Sequence, residues 1–193
     1  METDTQSLVQ SAIGGDTLAV ETLLERHLPR LRAYVRLRTG ALIEAKESVS
    51  DLVQSVCREV LEELPSFEYR DEASFRAWLF QHAAHKIADR GRFYHAAKRD
   101  AEREVDAATQ SAIDDAVPGL LTPSRDAIGK EELHRLEDAL QALPEEQRTA
   151  ILLQRVVGLP YSEIAAQLGK SEGATRNLVY RGLAKVALNL ERG

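Results

Sequence analysis

Apolar residues spaced like the turns of an α-helix run through residues 49–64 and constrain the fold more than any other feature. They recur at i, i+3, i+4, i+7 and onward, which puts all eight on one side of a helix. These residues are Val49, Leu52, Val53, Val56, Cys57, Val60, Leu61 and Leu64. Ser48 or Ser50 can cap the helix, and Pro65 follows its end. Since Cys57 lies on the apolar stripe, we interpret it as a core residue and not as a nucleophile.

The segments on both sides carry the same periodicity and predict an all-α protein. Asp16 can cap a helix that stops near Thr39 and Gly40, and we expect Pro29 to kink it because proline lacks an N–H. Another helix begins near Ser74. Its predicted core positions are Phe75, Trp78, Leu79, His82, Ala83 and Ile87. The aromatic content of 5% agrees with a helical composition and argues against a β-sandwich.

The periodicity lapses between residues 96 and 130, where turn signals and acidic residues dominate. We therefore predict two small helical domains, residues 5–95 and 131–190, joined by a flexible acidic linker. A single cysteine excludes an intrachain disulfide, and no apolar run approaches the roughly 18 residues of a membrane span. The acidic, polar N-terminus is not a secretory signal, so we expect a soluble, cytoplasmic protein.

Charge is distributed unevenly along the chain, although the net charge of −6 argues against indiscriminate binding of nucleic acid. Residues 73–99 carry 6 basic and 1 acidic groups, and residues 148–193 carry 7 and 3. The intervening residues 100–147 carry 4 basic and 13 acidic groups. Clustered cations suit phosphate contacts, and acidic stretches suppress binding elsewhere. Chance alternation of charge on helical surfaces explains this map equally well, so the motifs decide between the two interpretations.

Residues 161–181 have the pattern of a helix-turn-helix. Ile164, Ala165 and Leu168 anchor the first helix, Gly169 permits a left-handed turn, and Ser171 can cap the second helix. Ser162 can cap the first helix. With Thr175 and Val179 facing inward, the remaining side chains of the second helix could read a major groove. The candidate DNA-binding residues are Ser171, Glu172, Arg176, Asn177, Tyr180 and Arg181. The alternative is an ordinary helical hairpin with a glycine turn.

Six short sequence segments resemble motifs of the sigma-70 family of bacterial RNA polymerase sigma factors. The C-terminal ones resemble sigma region 4, and they are Leu143–Arg148, Gly158–Ala165 and Leu168–Ser171. The N-terminal ones resemble region 2, and they are Leu23–Leu31, Asp51–Gln54 and Phe75–Leu79, followed by Asp89. Two such regions in this order, with no other domain, resemble the extracytoplasmic-function (ECF) group of sigma factors.

The resemblance implies a role for each set of residues. Asp51 and Gln54 would dock on the β′ clamp helices of core RNA polymerase, and region 4 would meet the β flap. The recognition helix would read the −35 element as duplex, and the linker would thread toward the RNA path. The −10 element would be met by the loop residues Phe67 and Tyr69, which would hold an extruded base, and by Arg76, His85, Lys86, Arg90 and Arg92. An anti-sigma factor is a further implied partner.

Other functions receive less support from the sequence. His82, His85 and Asp89 lie at i, i+3 and i+7, but no further ligands accompany them, and we predict no metal and no cofactor. No phosphate-binding loop or catalytic triad is evident, so we predict that the chain is not an enzyme. The main alternative is a conventional helix-turn-helix regulator with a sensing or dimerising domain. A third is an adaptor of two helical bundles that binds no DNA.

Overall fold

The computed structural model describes residues 5–39, 43, 45–101 and 126–192, and that part of the chain is helical without a β-strand. Within the described residues, the first domain contains the helices α1 Thr5–Ile13, α2 Thr17–Arg38, α3 Val49–Glu63 and α4 Glu72–Ala101. The second contains α5 Asp126–Gln141, α6 Glu145–Leu152, α7 Tyr161–Leu168 and α8 Glu172–Arg192. The all-α prediction is confirmed. Residues 102–125 of the predicted linker lie outside the described residues.

The helix starts of the first domain follow from capping side chains. A carboxylate oxygen of Asp16 accepts hydrogen bonds from the backbone N–H groups of Leu18 and Ala19, at 2.9 and 3.3 Å. Of the two serines considered for α3, Ser48 is the cap, and its hydroxyl accepts from the Asp51 N–H at 3.1 Å. These side chains satisfy backbone donors that a helix start otherwise leaves unpaired. Helix α2 runs as one element through Pro29.

The stripe on α3 faces the core as predicted, with one exception. Leu52, Val53, Val56 and Val60 are buried, whereas Leu61 is 38% exposed. The prediction for Leu61 was wrong because, at 3.6 residues per turn, this position lies at the edge of the stripe, whereas Leu64, the last position of the stripe, is buried. On α4, Phe80 is fully buried although the predicted stripe omitted it.

In the second domain, glycines in the left-handed conformation set the changes of direction. Gly158, with φ of 76°, ends the π-helical turn Leu153–Val157, and Gly169, with φ of 62°, separates α7 from α8. The prediction that Ser162 caps α7 was wrong, because the helix begins at Tyr161 directly after Pro160, with no side-chain cap. Proline has no backbone N–H, so this position needs no hydrogen-bond acceptor.

Helices α6 and α8 approach each other closely at Gly182. A β-carbon built on Gly182 would lie 2.6 Å from Cδ1 of Ile151 and 3.3 Å from Cβ of Gln147. The absence of a side chain at Gly182 therefore lets α8 lie directly on α6. Sequence analysis missed this glycine, because a glycine inside a helix does not reveal whether side chains of another helix pack against it.

Candidate nucleic-acid and polymerase interfaces

The helix-turn-helix of α7 and α8 has the inward side chains that the sequence predicts. Ile164, Thr175 and Val179 are fully buried, and Ala165 is nearly so. The Thr175 hydroxyl donates to the Ser171 carbonyl at 3.0 Å, so this polar group is satisfied inside the core. The Ser171 hydroxyl accepts from the Ala174 N–H at 3.2 Å, which confirms the predicted cap. The recognition helix is thus fixed by its inner face.

The opposite face of α8 is exposed and polar. All of its candidate DNA-binding side chains lie at the surface: Ser171, Glu172, Arg176, Asn177, Tyr180 and Arg181. The Arg176 guanidinium lies 3.4 Å from the Glu172 carboxylate and 5.3 Å from the centre of the Tyr161 ring. Arginine and asparagine can make paired hydrogen bonds to base edges in a major groove. This face therefore has the chemistry and the accessibility of a duplex-reading surface.

Tyr161 is a residue of this site that the sequence reasoning did not assign to it. Its ring is half-buried at the start of α7, and the Arg176 side chain lies over it. Such a cation–π contact restricts the orientation of an exposed guanidinium. No local signal marks Tyr161, because the contact joins two helices across the turn.

The basic residues predicted to meet the −10 element do not form one uncompensated patch. Lys86 pairs with Glu59, Arg92 pairs with Asp89, and the Arg90 Nε lies 3.1 Å from a Glu47 oxygen. The Arg92–Asp89 pair is exposed and therefore weak, so a phosphate could replace that carboxylate at little cost, whereas Lys86 and Glu47 are largely buried in their pairs. His85 is exposed. Arg76 is half-buried, and its Nε atom is inaccessible to solvent.

The aromatic residues of the loop before α4 form part of a ring cluster. Phe67 is half-buried, with its ring 4.6 Å from the Trp78 ring and 5.6 Å from that of Phe75. Tyr69 is also half-buried and packs against the core. A base extruded into this loop would therefore meet rings held by the core, which reduces the entropy lost when it stacks.

The candidate polymerase-binding residues lie on the solvent side of α3. Asp51 and Gln54 are both exposed. A carboxylate oxygen of Asp51 accepts from the Ser48 hydroxyl at 2.8 Å, and the reciprocal backbone bond ties Asp51 to the helix start. Asp51 thus has a local structural role in addition to any role in docking.

The three residues considered as metal ligands, His82, His85 and Asp89, lie on α4. Among the described residues, no three His, Cys, Asp or Glu side chains are grouped closely enough to hold a metal ion. His82 instead packs its ring 4.8 Å from that of Trp78 and lies 3.6 Å from Glu63. Within the same residues, no helix is long and apolar enough to cross a membrane.

Together, a helical first domain and a second domain with an exposed helix-turn-helix face define a two-domain helical DNA-binding protein. Comparison with known families is more specific. Residues 23–99 match the Sigma-70 region 2 family, and residues 133–186 match the Sigma-70 region 4 family.

Curated relatives cover nearly the whole chain. The ECF RNA polymerase sigma factor SigD of Mycobacterium tuberculosis is 34% identical over 93% of this chain and 81% of its own length. The ECF RNA polymerase sigma factor ShbA of Streptomyces griseus is 36% identical over 93% of this chain and 92% of its own. The chain therefore belongs to the ECF group of RNA polymerase sigma factors, as its motifs predict.

Solved structures share the fold. The structure of CnrH in complex with the cytosolic domain of CnrY is 24% identical in sequence, with a TM-score of 0.65 over 99% of both chains. The sigma factor RpoE of Bartonella quintana, in complex with the anti-sigma factor NepR, is also 24% identical. Its TM-score is 0.66 over 89% of this chain and 96% of its own. At this identity the likeness concerns the fold alone.

Proposed function

We propose that this sigma factor divides its work between its two domains, with the first domain meeting the −10 element and the second reading the −35 element. Membership of the ECF group carries the general function, which is to bind core RNA polymerase and direct it to promoters. The exposed polar face of α8 is the observation that carries the residue-level proposal. A conventional regulator also has such a face, but its first domain would not match sigma region 2.

The −35 element should be read through Arg176, whose guanidinium is exposed and held beside Tyr161 and Glu172. Replacing Arg176 with alanine should weaken binding to a −35 duplex by roughly 1–3 kcal/mol if the side chain contacts a base. The measurement is the affinity of the polymerase holoenzyme for promoter duplexes that keep or lack the −35 sequence.

Lys185→Ala is the matched control, because it removes one positive charge from an exposed position further along the same helix. That variant should reduce binding slightly and equally for both duplexes. If Arg176→Ala and Lys185→Ala behave alike, Arg176 does not read the −35 element.

The exposed side chains of Asp51 and Gln54 should bind the β′ clamp helices of core polymerase. We expect the double variant Asp51→Ala/Gln54→Ala to weaken binding to purified core polymerase about ten-fold or more, since truncating an interface hot spot costs more than about 1 kcal/mol. Ser48→Ala is the control, because it removes the Ser48–Asp51 hydrogen bond while keeping the carboxylate. Equal losses in the two variants would mean that only the helix start was damaged.

The −10 contacts are proposed for Phe67, Tyr69, Arg76, His85, Lys86, Arg90 and Arg92. The support is that the two aromatic residues pack against the core and that the exposed Arg92 is paired with an exposed carboxylate that a phosphate could replace. Contact of region 4 with the β flap and passage of the linker toward the RNA path stay predictions.

An anti-sigma factor is a further proposed partner. CnrH and the Bartonella sigma factor, which share this fold, were each solved bound to another protein, the second of them to an anti-sigma factor.

We also infer that the chain has no catalytic activity of its own and acts in the cytoplasm. Both inferences rest on its class, a DNA-binding subunit that works with polymerase on promoters.

A further inference from the structure

Tyr161 lies across the turn from the recognition helix, and the second domain fixes its position. It is the first residue of α7, and its half-buried ring packs against the apolar core. Ile164, three residues further on, is fully buried and anchors the helix that carries the ring. Gly169, whose left-handed backbone ends α7, sets the direction in which α8 follows. The ring is therefore held in place beside the helix that carries the candidate DNA-reading side chains.

The Arg176 side chain connects the two helices of the helix-turn-helix. Its guanidinium carbon lies 5.3 Å from the centre of the Tyr161 ring, and one of its Nη atoms lies 3.4 Å from a Glu172 oxygen. Thr175, the preceding residue, is fully buried, so the backbone cannot turn Arg176 to another direction. The remaining freedom is that of the long side chain itself, which is 55% exposed, and the contact with the ring limits it.

The two neighbours of the Arg176 guanidinium should respond differently to a DNA duplex. Glu172 forms an exposed ion pair with it from one helical turn away, and such pairs are weak. Phosphates repel the Glu172 carboxylate, so a base edge can take its place on the guanidinium. The Tyr161 ring is uncharged, and a cation–π contact becomes stronger when water is excluded from it. The ring can therefore stay with Arg176 while a duplex is bound.

The orientation of an arginine matters more for reading a base than for binding a phosphate. A guanidinium that reads guanine donates two hydrogen bonds to acceptors at fixed places in the major groove. A contact to phosphate sets the register of the protein and carries no sequence information. Holding a long side chain before binding also avoids part of the entropy that is lost when it becomes ordered. A ring that holds Arg176 should therefore raise discrimination between sequences and leave the phosphate contacts as they are.

We propose that Tyr161 is a positioning residue for recognition of the −35 element, because its ring holds the Arg176 guanidinium in place to read a base edge. Tyr161 acts through Arg176, and its ring does not touch the base. The base served is one that presents two acceptors in the major groove, as guanine does. The inference rests on the proposed function, in which Arg176 reads the −35 element.

The test is a double-mutant cycle on the polymerase holoenzyme. Tyr161→Leu removes the ring and keeps an apolar side chain, Tyr161→Phe keeps the ring without its hydroxyl, and each is made with and without Arg176→Ala. The probes are duplexes of a promoter located by mapping the start sites of this chain, with the −35 sequence intact or scrambled. The quantity compared is the discrimination, defined as the ratio of the affinities for the intact and the scrambled duplex, measured across a salt series.

Tyr161→Leu should lower the discrimination about three- to ten-fold, which corresponds to the cost of ordering one long side chain at the moment of binding. Tyr161→Phe should restore the wild-type discrimination, because the ring makes the contact. In the Arg176→Ala background, Tyr161→Leu should lower the discrimination no further. The slope of log affinity against log salt should be the same for Tyr161→Leu and the wild-type chain, because no phosphate contact is lost.

Three results would overturn the proposal. Unchanged discrimination in Tyr161→Leu would mean that the ring does not position Arg176, and a loss in Arg176→Ala alone would then leave the proposed reading of the −35 element standing. An equal loss from Tyr161→Leu with and without Arg176 would assign the ring to the structure of the domain. Equal losses from Tyr161→Leu and Tyr161→Phe would assign the effect to the hydroxyl.

The single variant Arg176→Ala separates this inference from the proposed function. If that variant keeps the wild-type discrimination, the proposed function of Arg176 fails and the role of Tyr161 fails with it. Circular dichroism of every variant shows whether it is folded. Should Tyr161→Leu not fold, Tyr161→Met takes its place in the cycle, because methionine also lacks a ring and adapts to irregular space.

Discussion

Replacing Phe75 with alanine should lower the free energy of unfolding by about 3–5 kcal/mol. The Phe75 ring is 1% exposed at the start of α4, and its centre lies 5.2 Å from that of the buried His27 and 5.8 Å from that of Trp78. Alanine would remove this burial and leave a cavity between α2 and α4, because backbones fixed by neighbouring contacts cannot close it. Denaturant-induced unfolding, followed by circular dichroism, measures the loss.

Phe93→Ala is the matched control, since Phe93 lies on the same helix but is 61% exposed. That change should alter the free energy of unfolding by no more than about 0.5 kcal/mol. A loss at Phe75 no larger than the loss at Phe93 would contradict the placement of the core between α2 and α4.

Stability should fall as the solution is acidified from pH 6.5 toward pH 4, because His27 is buried without a hydrogen bond on either ring nitrogen. Burial, together with the positive charges of the nearby Arg26, Arg76 and Arg30, lowers the pKa of His27 from 6.5 to about 4. Between these two pKa values the unfolded chain binds the proton and the folded chain does not, so stability rises with pH across this range and levels off above it. The full difference corresponds to about 3 kcal/mol.

His27→Leu removes this titration while keeping an apolar side chain among the core residues. We expect the variant to lose about 3 kcal/mol less than the wild-type chain between pH 6.5 and pH 4. Carboxylates titrate in the same range, but they are common to both proteins, and their contribution cancels in the comparison. Parallel curves of unfolding free energy against pH would show that the His27 pKa is the same in the folded and unfolded chains.

Local sequence pattern predicted the helices and the orientation of the recognition helix. The predicted caps Asp16, Ser48 and Ser171 are confirmed, because each side chain accepts a hydrogen bond from a backbone N–H of its own helix turn. Thr175 and Val179 are buried as their spacing predicts. Such features depend on residues a few positions apart, which periodicity and capping rules describe well.

Features that depend on distant parts of the chain were not predicted. The ion pairs Lys86–Glu59 and Arg36–Glu137 join different helices. Predicting them would require knowing which helix faces pack against each other. The predicted stripe on α4 did not include Phe80. This residue is buried because α4 packs against α2, where the rings of Tyr34 and Phe80 meet edge to face with their centres 5.2 Å apart. Contact between the two domains left no trace in the local pattern for the same reason.

Transcription in vitro with purified core RNA polymerase tests the central claim most directly. With this chain added, core polymerase should bind it, open promoter DNA and produce transcripts from defined start sites, with conserved spacing from −10 and −35 elements. Core polymerase alone should produce none from the same templates. Failure of the full chain to bind core polymerase, or unchanged transcription in its presence, would contradict the assignment as a sigma factor.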